Sequence, residues 1–295
     1  MRFAFPLAAA AILSLAAGPA SADCAAVDSE IKAALSSGAT DQYAALHAAM
    51  TGEPSCDAAY RDQMGRAMAR SALTRLATDS GPDAIAELTR LGRPWQVLVA
   101  LGDAYYDRKD WASVVPVYEE ALDDMRDTAA NPKPPPEDVE RRVYKRAVEA
   151  RALNPVYVAT RQFRGKKTGL ADPTFRNFTA EAVPVPVRFE TDSAALTPDG
   201  IVAVEDIYAY VSVSAPDYVA IIGHTDPRGA DAHNDDLSLR RAATVRDRLV
   251  ALGYGGKIDT AGKGERERFV ADDPSKYSED ELFAFDRRVE YRTAQ

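Results

Sequence analysis

The hydrophobic spacing of this chain changes period at Val183, and that change limits what each part can become. Before it, apolar residues fall at three- and four-residue steps: Ile31 and Leu35, then Tyr43, Leu46 and Met50, then Met64, Met68, Leu73 and Leu76, then Ile85, Leu88 and Leu91. Gly38, Gly52-Glu53-Pro54, Gly81-Pro82 and Gly92-Arg93-Pro94 interrupt them. Such spacing with such breaks predicts a stack of short antiparallel helices. After it, Val183, Val185, Val187 and Phe189 alternate with other residues, which predicts a strand. Pro184 and Pro186 withhold ladder donors, so this strand belongs at a sheet edge.

The first 22 residues stand apart from both halves. Arg2 is the single charge before an apolar run from Phe3 to Ala17, and Gly18-Pro19-Ala20-Ser21-Ala22 closes it. A positive start, a short apolar stretch and small residues at Ala20 and Ala22 mark a secretory signal peptide with cleavage after Ala22. The run is too short for the roughly 20 residues that span a membrane. Cys24 is not read as a lipid anchor, because Asp23 precedes it where lipidation favours a small residue. Cys24 and Cys56 are the two cysteines, and in an exported chain they read most simply as one disulfide, with two free thiols as the alternative. The net charge of −9, or −10 once Arg2 leaves, opposes nucleic acid as a partner, since that binding rests on neutralising phosphates.

Within the helical half, Trp95 to Met125 reads WQVLVALGDAYYDRKDWASVVPVYEEALDDM. It resembles a tetratricopeptide repeat (TPR), with Leu98, Leu101-Gly102 and Tyr105 on a first helix and Tyr118 and Ala121-Leu122 on a second. The resemblance implies that Gly102 and Ala121 allow close approach while the larger side chains fill the seam. Val114 stands where the repeat favours Ala, and Pro116 is expected to bend or delay the second helix. The alternative is an ordinary helical bundle, and either version places a helical domain over 23–153. Asn131-Pro132-Lys133-Pro134-Pro135-Pro136 reads as a stiff loop, followed by a helix from Glu137 to Leu153 with Val139, Val143, Ala147 and Ala150 on one face. Residues 154–182 read as a linker or as a packed extension of the next domain. Their basic residues Arg161, Arg164, Lys166 and Lys167 are assigned no function.

From 183 to 295 the elements alternate. Thr197-Pro198 opens a helix with Val202, Ile207 and Val211 on its buried face, the hydroxyl capping and Pro suiting the first position. Tyr218 to Ile222 is a second strand, Asp235 to Leu252 a second helix, Ile258 to Ala261 a third strand and Arg288 to Thr293 a fourth. Two helices over a small mixed sheet make an α/β sandwich.

Four short elements then occur in order: Gly223-His224-Thr225-Asp226-Pro227-Arg228-Gly229, then Asn234 with Leu237-Ser238-Leu239-Arg240-Arg241-Ala242, then Gly262-Lys263-Gly264-Glu265, then Asp286-Arg287-Arg288-Val289-Glu290. Their combination resembles the OmpA-like domain, shared with peptidoglycan-associated lipoprotein and flagellar motor stator proteins. The resemblance implies non-catalytic peptidoglycan binding through the diaminopimelate of the stem peptide, with Asp226 and Arg241 holding its charged end. The expected site also includes Thr225, Asn234, Gly223 and Arg288. The chemistry agrees: that end is a zwitterion, for which a carboxylate answers the ammonium and a guanidinium answers the carboxylate with a forked pair of bonds. Backbone NH groups at the start of the second helix suit the anion, and Asn234 caps that helix or touches ligand. An isolated Asp–Arg pair would read as a surface ion pair worth roughly 0–1 kcal/mol. The surrounding motif is what turns the reading.

The pattern also departs from the family. Glu190 rather than Asp follows Phe189, Asp286 stands where Asn is common, and Arg266-Glu267-Arg268-Phe269 replaces a Pro after the Gly-x-Gly-Glu element. These departures bear on the groove rim, and Arg287 and Arg288 either fix the last strand or line the groove. His224 reads as a structural hydrogen-bonding residue, since three histidines form no ligand cluster and no cofactor or metal is expected. An enzyme would need a nucleophile with a base, paired acids or a metal site. Neither Gly-x-Ser-x-Gly nor His-Glu-x-x-His occurs. The expected protein is therefore periplasmic and wall-associated, with outer-membrane association left open, and its helical domain meets an unknown envelope protein. A subunit of an envelope machine anchored to the wall is the alternative.

Overall fold

Two helices end at the Gly38 and Gly52 breaks, and two others begin at Pro82 and just after Pro94. The computed structural model describes residues 22–77, 80–160, 162–163, 166–167 and 169–293. The leader expected over Met1–Ala22 lies outside the described residues except for Ala22, as do the side chains of the basic stretch from Arg161 to Lys167. The helical half contains α1 (Ala22–Ser37), α2 (Tyr43–Gly52), α3 (Ala58–Leu73), α4 (Pro82–Leu88), α5 (Trp95–Tyr106), α6 (Trp111–Arg126) and α7 (Glu137–Leu153). Asp57 caps α3 by accepting from the Tyr60 NH, and Asp110 caps α6 by accepting from the Ser113 NH, satisfying donors that a helix start leaves open. Ile31, Tyr43, Met50 and Met68 bury between α1, α2 and α3, and a Cys24–Cys56 disulfide joins α1 to the turn before α3. Leu76 and Leu91 lie beyond the ends of their helices and are only partly buried.

The α5–α6 pair meets as the spacing predicts. A Cβ on Gly102 would stand 2.3 Å from the Tyr118 ring, so only glycine permits this approach. Leu98, Leu101, Tyr118, Ala121 and Leu122 are buried in or beside the seam. Tyr105 packs partly buried against the core, while its neighbour Tyr106 is more deeply buried and turns toward the C-terminal half. Pro116 does not delay α6, which begins at Trp111: Ala112 and Pro116 are both exposed, so the carbonyl that Pro116 cannot serve faces solvent.

In the C-terminal half a four-stranded sheet runs in the order β3 (Val183–Val185), β6 (Val289–Thr293), β4 (Tyr218–Gly223), β5 (Lys257–Gly262). β3 is an antiparallel edge strand, β6 and β4 are antiparallel, and β4 and β5 are parallel. Strand character ends earlier than the alternation suggested, and Phe189 keeps only a single bridge to Leu196. α8 (Pro198–Ser214) is capped by Thr197, whose hydroxyl accepts from the Gly200 NH. Its buried face carries Ala203, Val204, Ile207 and Val211, whereas Val202 is exposed, one step round the helix from the expected stripe. α9 spans Asp231–Ala251, starting four residues before the expected Asp235, so Asn234 sits inside the first turn and not at the cap. A third helix, α10 (Glu279–Asp286), was not expected, and Ser278 opens it with a capping box to Glu281.

Within 154–182, residues 169–182 pack against the helices rather than standing free. Between them and α7 lies a two-strand ribbon, β1 (Gln162–Phe163) with β2 (Lys166–Lys167). Arg126 of α6 donates to the carbonyls of Gly169, Asp172 and Thr174, and Phe175 stacks on Phe178 at 4.5 Å with Tyr144 of α7 edge-on at 5.0 Å. Leu170 and Phe175 share one core with α5, α6 and α7, and so do Ala271, Tyr277 and Phe285 of the C-terminal half. Glu149 of α7 accepts from the Tyr106 and Tyr277 hydroxyls and from the Asp272 NH, at 2.5, 2.7 and 2.5 Å. One hydrophobic cluster thus spans both halves. The full chain should unfold in a single calorimetric transition, and Phe285→Ala should lower that transition as a whole by about 3–5 kcal/mol. Two transitions, one of them unmoved by Phe285→Ala, would contradict a shared core.

Candidate functional site: a guanidinium-lined cleft beside Asp226

The site forms where β4 ends. α9 passes so close that a Cβ on Gly223 would stand 2.1 Å from the Ser238 carbonyl oxygen, which explains glycine there. The chain then turns through His224, whose NH donates to the Arg288 carbonyl, and Thr225, whose NH donates to the Gly264 carbonyl. These two bonds tie the turn to the start of β6 and to the loop after β5. Asn234 finishes the turn: its amide reaches the Asp226 carbonyl and the Arg228 carbonyl, each at 3.3 Å, and Glu265 at 2.6 Å. Gly223, Thr225 and Asn234 therefore shape the loop that carries Asp226.

Asp226 is nearly buried and held by two guanidiniums. Arg287 donates at 2.7 Å, and Arg228 donates at 2.6 Å from Nη2 and 3.2 Å from Nε, with its backbone NH adding a third bond at 3.1 Å. Burial pushes the carboxyl up, but these bonds outweigh it and bring it down to about 2. Asp226 and Arg241 do not pair directly. Arg287 connects the two parts of the site: it is bonded to Asp226 and lines the same cleft as Arg241, whose pKa its charge helps to lower.

Arg241, on α9, points its Nε at the Ser193 carbonyl at 2.9 Å and lays its guanidinium 4.9 Å from the centre of the Phe189 ring. Burial, followed by the repulsion of Arg287, lowers its pKa from the ordinary arginine value. Arg241, Arg287, Arg288, Phe189 and His224 line one cleft of about 300 Å³, and Ala152 of α7 supplies part of its wall. Arg288 pairs with Glu290 at 2.8 Å and reaches the Glu267 carbonyl at 3.2 Å. Both Arg287 and Arg288 thus line the groove, and Arg288 also steadies the last strand.

Three features were not legible beforehand. Arg228 and Arg287 are the partners of Asp226; the Asp-Pro-Arg-Gly turn carried the only hint, by placing Arg228 two residues on. The cleft wall from α7 has no local signal at all. The unusual Asp286 is explained together with the unusual loop: its carboxylate accepts from Arg268 at 2.6 Å and from the Phe269 NH at 2.8 Å, so the two departures hold each other. Among the described residues no group of His, Cys, Asp or Glu could hold a metal ion, and no helix is long and apolar enough to cross a membrane.

Because Asp226 titrates lower folded than unfolded, its contribution to stability is present above its ordinary value of 3.8 and is lost as the pH falls through about 2. Glu290 shows the same direction: burial raises it, but contacts with His224 and Arg288 bring it from 4.5 to about 2. Asp226→Asn should therefore flatten the acid limb of thermal stability below pH 4 without abolishing it. An acid limb identical to that of the unaltered protein would refute this.

Comparison with known proteins places the region. Residues 188–280 match the model of the OmpA family. Outer membrane protein A of Escherichia fergusonii is 39% identical over 82 residues, covering 27% of this chain and 34% of that protein. That of Serratia odorifera is 38% identical over 85 residues, covering 28% and 35%. This chain thus spans about a third of the length of these relatives. The crystal structure of the peptidoglycan-associated lipoprotein from Burkholderia pseudomallei is similar at 26% identity, covering 38% of this chain and 89% of that one, with a TM-score of 0.31. Residues 188–280 of this chain form an OmpA family domain.

Proposed function

We propose that this protein is an exported, non-catalytic peptidoglycan binder of the periplasm. It holds the diaminopimelate of the stem peptide, with Asp226 facing the ammonium and Arg241 the carboxylate. The observation that carries the reading is a half-buried Arg241 and Arg287 lining one cleft, with an ionised Asp226 bonded directly to that Arg287. A carboxylate that stays charged is the partner an ammonium needs. A guanidinium steadied by Ser193 and Phe189 is ready for a carboxylate at little further entropic cost. Gly223, Thr225 and Asn234 act by fixing the turn, and Arg288 by lining the cleft. The OmpA family match and the envelope relatives support the same reading.

The helical half is assigned a protein partner in the envelope. The close α5–α6 pair, with Tyr118 against Gly102, supports a tetratricopeptide-like surface there. In this reading the C-terminal half anchors the assembly to the wall and possession of a partner is the task of the helices.

Purified sacculi should pellet the mature protein, and Asp226→Ala or Arg241→Ala should each weaken that co-pelleting by tenfold or more. Each removes one partner of a charge-assisted contact, worth about 1.5–3 kcal/mol. Undiminished pelleting by both variants would remove the assignment. A cleared zone when the protein is run through wall material would overturn the non-catalytic part.

A further inference from the structure

The cleft lining carries four guanidiniums, those of Arg188, Arg241, Arg287 and Arg288, and no carboxylate. This occurs in a chain whose net charge is −9. Three of the four have counter-ions: Arg188 has Asp199, Arg287 has Asp226 and Arg288 has Glu290. Arg241 has a carbonyl and a ring but no ion pair among the described residues. Two further groups have donors to spare. Arg288, 7% exposed, leaves Nη1 without a partner, and His224, 1% exposed, has both ring nitrogens unpartnered, with Nε2 3.6 Å from Glu290. A buried donor left unmade is costly, and a ligand acceptor that reaches it recovers that cost.

A simple zwitterion brings one carboxylate and no net charge. It answers Arg241 and leaves Arg288 as it was. Diaminopimelate at the end of a stem is different: its second carbon centre carries a free carboxylate, so the head group brings two carboxylates and one ammonium. When the stem continues, that second carboxylate becomes a neutral amide. We propose that this cleft selects peptidoglycan stems ending at diaminopimelate over stems that extend beyond it, with Arg288 taking the second carboxylate. The inference rests on the peptidoglycan reading above and adds the class of stem. Ala152 gives the helical half a part in the selection. It stands in the wall of the cleft at the C-terminal end of α7, and the Arg188 guanidinium fastens that end by bonds to the Asn154 and Pro155 carbonyls.

Calorimetric titration of the full mature chain tests it with two muropeptides, one ending at diaminopimelate and one extended by a single alanine. The first should bind about tenfold tighter, the size of one added charge-assisted hydrogen bond. Arg288→Gln should bring the ratio of the two affinities to about one. Ala152→Glu, which sets a negative charge in the cleft wall and spares the Arg288–Glu290 pair, should reduce the ratio in the same direction. Equal affinities in the unaltered protein, or a ratio that survives both substitutions, overturns the inference and leaves peptidoglycan binding standing. Failure of both muropeptides and of sacculi to bind overturns the peptidoglycan reading, and this one with it.

Discussion

The C-terminal site depends on one carboxylate held between two guanidiniums. Arg228 reaches Asp226 from the same turn, and Arg287 reaches it from the junction between α10 and β6. The arrangement ties the end of the central strand to the start of its neighbour, and it keeps the acid ionised to about pH 2. Losing either arginine would leave a nearly buried charge short of a partner, which is far more costly than losing an exposed pair. Arg287 lines the same cleft as Arg241, so the acid that organises the turn also supplies the counter-charge of one of the cleft's arginines.

The two halves of the chain are joined by polar as well as apolar contacts. Arg146 of α7 spans Asp103 of α5 and Asp272 of the C-terminal half, at 2.9 and 2.7 Å. Burial raises the Glu149 carboxyl, and the hydroxyls of Tyr106 and Tyr277 answer it. Such a junction holds α7 in one position relative to the sheet, which allows Ala152 to act as a fixed wall of the cleft. The segment between the halves contributes side chains to the common core, so movement of one half against the other would have to break that core.

Much of this was legible in the sequence, for identifiable reasons. Gly102 and Tyr118 announced their contact because only a missing side chain admits a ring at that distance. Thr197-Pro198 marked its helix start through a hydroxyl and a fixed φ, which are local properties. Asn234 misled because a good capping residue can serve instead as a bridge between loops, and its partners Asp226, Arg228 and Glu265 are brought to it by the fold. Val202 misled because apolar residues at 201, 202 and 204 suit more than one buried stripe at the start of this helix. The cleft wall from Ala152 was beyond reach: it depends on how two halves dock, and alanine carries no signal of its own.

The most direct test is a crystal structure of the mature chain with diaminopimelate bound. The account predicts the ligand ammonium within hydrogen-bonding distance of Asp226, displacing or sharing one of its two guanidiniums, and a ligand carboxylate forked by Arg241 in the cleft beside Phe189. Diaminopimelate lodged elsewhere, with Asp226 still closed between Arg228 and Arg287 and Arg241 untouched, would contradict it.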